Sequence, residues 1–198
     1  MNGNSLIRTF HELALFTNPS FTTLPASSLR NCSILEEVTL PNQLTTTGTS
    51  AIYNCPKLKE IIVPESVTSL GADFLRECTG IKRIIIYGHV VTANIRLGYS
   101  LSQLAFLVLP QTITSISHND AFLRTTALKT IICNATTPPS LANNNLFTAG
   151  SSQVIYIPDD CVEAYSSASR WSSYKSRLRT FTQLREEHPD WYDAYVVQ

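Results

Sequence analysis

Apolar side chains recur along this chain on a beat of 23 residues. Residues 41–63, PNQLTTTGTSAIYNCPKLKEIIV, and 64–86, PESVTSLGADFLRECTGIKRIII, agree slot by slot: Pro41/Pro64, Leu44/Val67, Gly48/Gly71, Cys55/Cys78, Leu58/Ile81, Ile61/Ile84 and Val63/Ile86. One step back, residues 18–40 keep Cys32, Leu35, Val38 and Leu40 in the same slots. Forward, residues 87–109 end in LAFLVL, with Leu104, Leu107 and Leu109 where Leu58, Ile61 and Val63 stand. Residues 110–133 restart at Pro110 with one extra residue, and 134–157, the most degenerate copy, close on VIYI before Pro158. A fixed period carried through six units predicts a solenoid, one supersecondary unit stacked along an axis.

The core of each unit reads L-x-x-L-x-L, and its last three positions alternate as a short strand does, so residues 38 and 40, or 61 and 63, face inward. Stacking one strand per turn gives a parallel ladder with rungs about 4.8 Å apart. A single copy has too few inward side chains to offset the entropy of ordering it, so the units must stack and the two open ends need caps. Residues 1–17 are expected to cap the N-terminal end: Thr9-x-x-Glu12 has the form of a capping box, with Phe10, Leu13, Ala14 and Phe16 to cover the first repeat. Repeats then fill 18–157.

Several registers together resemble a known family. In place of the Asn or Cys that follows the strand in common leucine-rich repeats, the chain has Gln43, Ser66 and Thr112; a Pro opens the unit, V-T-S-L or I-T-S-I follows, then A-x-(x)-F/I-x-x-C. Carried by residues 41–86 and 110–133, this pattern resembles the BspA-like leucine-rich repeats of bacterial surface and gut-phage proteins, over roughly 18–181. The resemblance implies a leucine-rich-repeat solenoid, mainly a parallel β ladder with short helical and turn segments and helical caps at both ends. It also implies attachment: to a cell surface, or to a host surface when carried on a virus particle. Residues 158–183, with Val162, Ala164, Tyr165, Ala168, Trp171 and Tyr174, are similar to the helix that closes such arrays. Residues 184–198 then form an aromatic tail, broken from the cap near Glu186–Pro189.

Composition adds mainly exclusions. Net charge is zero and the pI is about 6.9, without the basic stripe and stacking platforms of a nucleic-acid groove. No apolar run reaches membrane-spanning length, and the N-terminus lacks the basic and apolar regions of a signal peptide. An extracellular or surface-exposed location, on a virion or a bacterial cell, then requires removal of a signal or another route outward. Cys32, Cys55 and Cys78 stand one repeat apart, and Leu101 shares their slot, so the column reads as buried thiols rather than disulfides or a metal site. The histidines are dispersed, Asp159-Asp160 reads as a cap for the helix that follows, and Asn31 and Asn134 begin sequons discounted for a bacterial-type chain. No nucleophile elbow, zinc-binding or phosphate-binding motif appears, so neither an enzyme nor a cofactor is expected.

The outward strand columns carry the functional expectation. One reads Glu37, Glu60, Arg83, Phe106, Thr130, and its neighbour Thr39, Ile62, Ile85, Val108, Ile132. Ile62, Ile85, Val108 and Ile132, flanked by Phe106, make an apolar ribbon about 20 Å long, and such ribbons mark interaction sites unless they merely reflect the fit of β-branched residues to strands. Thr45, Thr68 and Thr114, with Thr46, Ser69 and Ser115, form hydroxyl columns on the other side. The tail anchors Trp191, Tyr192 and Tyr195 either fold back on the solenoid or dock on another subunit or virion neighbour. The expected function is thus a non-enzymatic attachment or assembly module for a protein or a cell-surface glycan. It leans to a phage tail, fibre or head-decoration component, with a bacterial adhesin as the alternative and a structural spacer as the third.

Overall fold

A computed structural model describes residues 1–90, 99–122, 124–144, 146–147 and 152–196. The strands are β1 (Thr9–Phe10), β2 (Thr23–Leu24), β3 (Glu37–Val38), β4 (Thr46–Thr47), β5 (Glu60–Val63), β6 (Arg83–Ile86), β7 (Phe106–Leu109), β8 (Ser115–Ile116), β9 (Thr130–Cys133), β10 (Ser140–Leu141), β11 (Val154–Ile157) and β12 (Leu178–Thr180). The helices α1 (Val162–Ser167), α2 (Phe181–Glu187) and α3 (Pro189–Tyr195) all lie in the C-terminal part, with 3-10 turns at Glu12–Leu15, Asp159–Cys161 and Trp171–Arg177.

The 23-residue period becomes strand register. Glu60 pairs with Arg83 and Ile61 with Ile84, Arg83 pairs with Phe106, and the extra residue of the next repeat shifts the pairing to Phe106↔Thr130. The result is a six-stranded parallel sheet in the order β12-β11-β9-β7-β6-β5. The rung pattern continues towards the N-terminus, where Lys59 N donates to Glu36 O at 3.1 Å and β1 pairs with β3. On the opposite side of the coil the short strands pair as β2-β4 and β8-β10. The solenoid is a leucine-rich-repeat fold, as the pattern predicts.

Inward columns fill the interior. Leu58, Ile61, Val63, Ile81, Ile84, Ile86, Leu104, Leu107 and Leu109 are all at most 1% exposed. The thiols sit among them as free cysteines, and two reach back one coil: Cys55 Sγ donates to Leu29 O at 3.0 Å and Cys78 Sγ to Ile52 O at 2.8 Å. Leu101 is buried in the equivalent slot, which confirms the slot as apolar. The slots that lack Asn nevertheless stitch coil to coil. Ser66 Oγ donates to Leu44 O at 2.7 Å, Thr112 Oγ1 to Val90 O at 3.3 Å, and Gln43 Nε2 to Phe16 O. Buried carbonyls at a turn need a donor, and several side chains can supply it. The hydroxyl columns have a similar role: Thr45 Oγ1 donates to Thr22 O and Thr68 Oγ1 to Thr45 O.

The turns repeat as well. Left-handed residues occur in two columns, Ser27/Ser50/Asp73 and Asn31/Asn54/Glu77/Ser100, with φ between 54° and 64°. Beside these turns Arg30, Tyr53, Arg76 and Tyr99 alternate one repeat apart, with guanidinium-to-ring distances of 4.7, 5.9 and 5.1 Å.

The ends differ from the expectation in detail. Thr9 lies in β1, because the ladder takes this backbone: Glu36 N donates to Arg8 O at 2.7 Å and Thr39 N to Phe10 O at 3.3 Å. The turn at Glu12–Leu15 has no side-chain cap, and only Leu13 of it is buried. The Thr9-x-x-Glu12 capping box is therefore absent. The box forms instead at Thr180, whose side chain accepts from Gln183 N while Gln183 Oε1 accepts from Thr180 N, at the start of α2. Asp159 does not cap the helix directly after it; its Oδ1 accepts from Thr182 N at 2.9 Å, again at the start of α2. Burial pushes the Asp159 carboxyl up, but hydrogen bonds from Thr182 and Thr180 outweigh it and hold the group below its ordinary value.

Tyr165, Trp171 and Tyr174 plug the last coil. The Tyr165 and Trp171 rings meet edge-on at 4.8 Å, and Trp171 Nε1 donates to Pro139 O at 2.7 Å. Tyr165 and Tyr174 hydroxyls donate to Ala135 O and Asn144 O. Beyond this plug the chain adds one more rung, β12, paired with β11.

Candidate functional site

The outer face of the sheet has its own apolar layer. Ile85, Phe106, Val108, Ile132 and Tyr156 pack with Phe181 and Leu184 of α2, and Trp191, Tyr192, Tyr195 and Val196 pack against that cluster. The ribbon is consequently covered over most of its length: Ile85 is 2% exposed, Phe106 7%, Val108 1% and Ile132 0%. The expectation of a continuous exposed ribbon is corrected here. Four apolar side chains in line and an aromatic tail on the same chain remove each other from water, at no cost of bringing two molecules together.

Ile62 is the exception, 44% exposed at the next rung. It stands in a groove of about 870 Å³ lined along its length by His11, Glu37, Lys59, Ile62, Tyr87 and His89. The strands β3 and β5 position the floor, because alternation sends Glu37, Glu60 and Ile62 outward. The turns after β5 and β6 supply Pro64, Glu65, Tyr87 and His89 as one wall.

Several polar side chains around the groove are paired in place. Glu36 accepts from Arg8 Nε at 2.7 Å and pairs with Lys59 Nζ at 2.5 Å. Hydrogen bonds from Lys59 and Arg8 hold its carboxyl down at about 2. His11 lies 2.9 Å from Thr39 Oγ1 and 3.1 Å from Glu37 Oε2, and Arg83 Nε is 3.1 Å from Glu60 Oε2. Tyr87 joins the groove to the tail: its hydroxyl donates to Ala194 O at 3.1 Å. Burial, then the neighbouring Tyr195, pushes the Tyr87 hydroxyl up.

At the far end of the covered face, Tyr156 OH donates to Glu187 Oε2 at 2.6 Å, and burial together with that carboxylate raises the Tyr156 hydroxyl. Periodicity flagged the ribbon and aromatic content the tail, and the fold brings Ile85, Phe106, Val108, Ile132, Trp191, Tyr192 and Tyr195 together while leaving Ile62 in the open groove. Reasoning from the repeat missed Tyr87, Lys59 and His11. Tyr87 alone has a visible signal, an aromatic directly after the apolar run of β6.

A BspA type Leucine rich repeat region (6 copies) matches residues 10–129 and 96–182. The chain belongs to the BspA type leucine-rich repeat family. Solved structures similar to it include the pneumococcal vaccine antigen PcpA, 20% identical over 76% of this chain and 29% of that one, with a TM-score of 0.40. A leucine-rich cell surface protein from Faecalibacterium prausnitzii is 17% identical, covering 79% of this chain and 60% of that one at a TM-score of 0.36. A leucine-rich repeat protein from Bacteroides ovatus is 19% identical, covering 87% of this chain and 57% of that one at a TM-score of 0.39. This chain thus spans less than two thirds of each of those proteins. No curated protein matches it.

Within this BspA type solenoid the groove combines Ile62, Glu37 and Glu60 on its floor, a phenol at one wall and the ion pairs of Glu36 and Glu60. That chemistry suits contact with another surface. Among the described residues no three His, Cys, Asp or Glu side chains gather to hold a metal ion, and no helix is long and apolar enough to cross a membrane.

Proposed function

We propose that this BspA type repeat chain is a non-enzymatic attachment module that binds a partner protein at the groove around Ile62, at a bacterial cell surface. One observation carries the reading: Ile62 is the one ribbon residue left 44% exposed, at the floor of the groove. An exposed apolar side chain with ion-paired groups beside it has the layout of a protein interface, apolar at its centre and polar at its edge. A protein is therefore the favoured ligand over a cell-surface glycan.

The virion-component version drew in part on an aromatic tail available for docking, beside the starting Met1 and the lack of an export signal. Trp191 and Tyr195 are seated against Phe106 of the same chain, which removes that support. The bacterial adhesin reading does not depend on a free tail and is the stronger of the two.

The test is attachment of fluorescently labelled chain to cultured epithelial cells and to a printed glycan array. Ile62→Lys is expected to lower cell attachment about tenfold or more, as loss of a central anchor does, with the thermal melt unchanged. Undiminished attachment would remove the groove from the function, and array binding that survives the substitution would shift the ligand to a glycan.

A further inference from the structure

The C-terminal hairpin that covers the sheet consists of two unlike halves. Helix α2 is fastened: Thr180 and Gln183 form its capping box, Asp159 accepts from Thr182 N, and Phe181 and Leu184 are buried. Helix α3 is not. It has seven residues, no side-chain cap and no buried side chain, and it joins α2 through the single residue His188 at φ −145° and ψ 70°.

What holds α3 is a set of contacts along one side and at one end. Trp191 and Tyr195 set their rings against Phe106 at 5.0 and 5.2 Å. Arg83 donates to the Tyr195 hydroxyl, Tyr87 OH to Ala194 O at 3.1 Å, and Asn134 Nδ2 to Tyr195 O at 2.9 Å. The seat beneath it lies in the same column as the groove floor, since Ile62 pairs with Ile85 and Ile85 with Val108. Tyr87 belongs to both, lining the groove and holding the end of α3.

We infer that the seat under α3 is an interaction surface for a short amphipathic, aromatic-anchored segment of a partner protein, with α3 as its built-in occupant. The inference rests on the reading of this face as the binding surface. The chemistry of the occupant is written in α3 itself: two aromatic rings four residues apart meet Phe106, and backbone carbonyls at the helix end meet Tyr87 and Asn134. Release of α3 opens one apolar strip from Ile62 through Ile85 and Val108 to Ile132, with α2 still clamped at the far side. A partner segment with stronger anchors takes that strip, and α3 competes with it. Because its tether is one residue, α3 is present at an effective concentration on the order of millimolar. A weak segment is therefore excluded and a strong one admitted.

The experiment uses the full chain and a labelled synthetic peptide of residues 188–196 as the probe, with anisotropy as the readout. The double variant Trp191→Ala/Tyr195→Ala is expected to bind the peptide at least about tenfold more tightly than the parent, whose seat is filled. Adding Val108→Lys is expected to abolish that gain. Equal affinity for parent and double variant, or no binding by the double variant at millimolar peptide, overturns the inference. Should the double variant fail to fold, amide exchange on the parent decides: 189–196 must exchange well ahead of 181–187, and equal protection overturns the inference. Neither readout involves Ile62, so failure here leaves the groove untouched, and failure of Ile62→Lys in the attachment assay leaves the seat untouched.

Discussion

The Trp191 ring meets the Phe106 ring at 5.0 Å between centroids, with their planes at 72°. This edge-on contact joins the tail to the middle rung of the sheet and turns the outer face of a repeat array into a second small core. The sheet is therefore apolar on both sides from β6 to β11, and open only where the tail stops.

The close approach of successive coils makes one substitution decisive. A Cβ on Gly71 would lie 2.3 Å from the backbone carbon and oxygen of Gly48. Both neighbours are backbone, so the coils must move apart. Gly71→Ala is expected to lower stability by about 2–3 kcal/mol, in the range of overpacked cores, as measured by urea unfolding.

Buried thiols predict an alkaline limit. Burial pushes the Cys78 and Cys133 thiols above their ordinary value of 9.0. A raised value in the folded chain means that the neutral thiol is favoured there. Its contribution is fully present below pH 9 and is lost as pH rises towards the folded-state values. Unfolding free energy should be level between pH 7 and 8.5, then fall by about 1.4 kcal/mol per pH unit for each such thiol. A thiol reagent at pH 8 should leave Cys78 and Cys133 unlabelled until denaturant is added. Rapid labelling in the folded chain would contradict their burial.

Loss of the α2 cap should separate the tail from the solenoid. Thr180→Ala removes the side-chain acceptor of Gln183 N and is expected to cost about 1 kcal/mol, the usual worth of such a cap. Amide exchange should increase in 181–196 and stay unchanged in β5 to β7. A uniform increase over the whole array would show instead that the hairpin and solenoid unfold as one unit.

At the turns, Tyr53 lies between Arg30 and Arg76, at 4.7 and 5.9 Å from their guanidinium carbons. Tyr53→Leu keeps an apolar side chain and removes the ring face. Stability is expected to drop by about 1 kcal/mol, as for partly exposed cation–π pairs, with the double variant Arg30→Ala/Tyr53→Leu less destabilised than the sum of its parts.

The contrast between the capping box expected at Thr9 and the one formed at Thr180 shows how far local signals reach. Thr9-x-x-Glu12 and Thr180-x-x-Gln183 are equally good signatures in isolation. Only the second forms, because the ladder claims the backbone around Thr9 while the chain leaves the sheet after Thr180. For the same reason β12 was not legible: Leu178-Arg179-Thr180 lacks the repeat pattern and becomes a strand only because β11 presents an unpaired edge. Ile85 and Ile62 make the complementary point, with the same side chain in the same column and opposite exposure.

The sequence by itself determined the period, and with it the register of the rungs from β5 to β11, the inward columns of Leu, Ile and Cys, and the family, because strand alternation and stacking leave one consistent alignment of the copies. Only the tertiary structure decided where the tail comes to rest, which ribbon residues stay in water, and that Tyr87 links groove to tail. Those outcomes depend on contacts between segments remote in the chain, whose mutual burial no local pattern encodes.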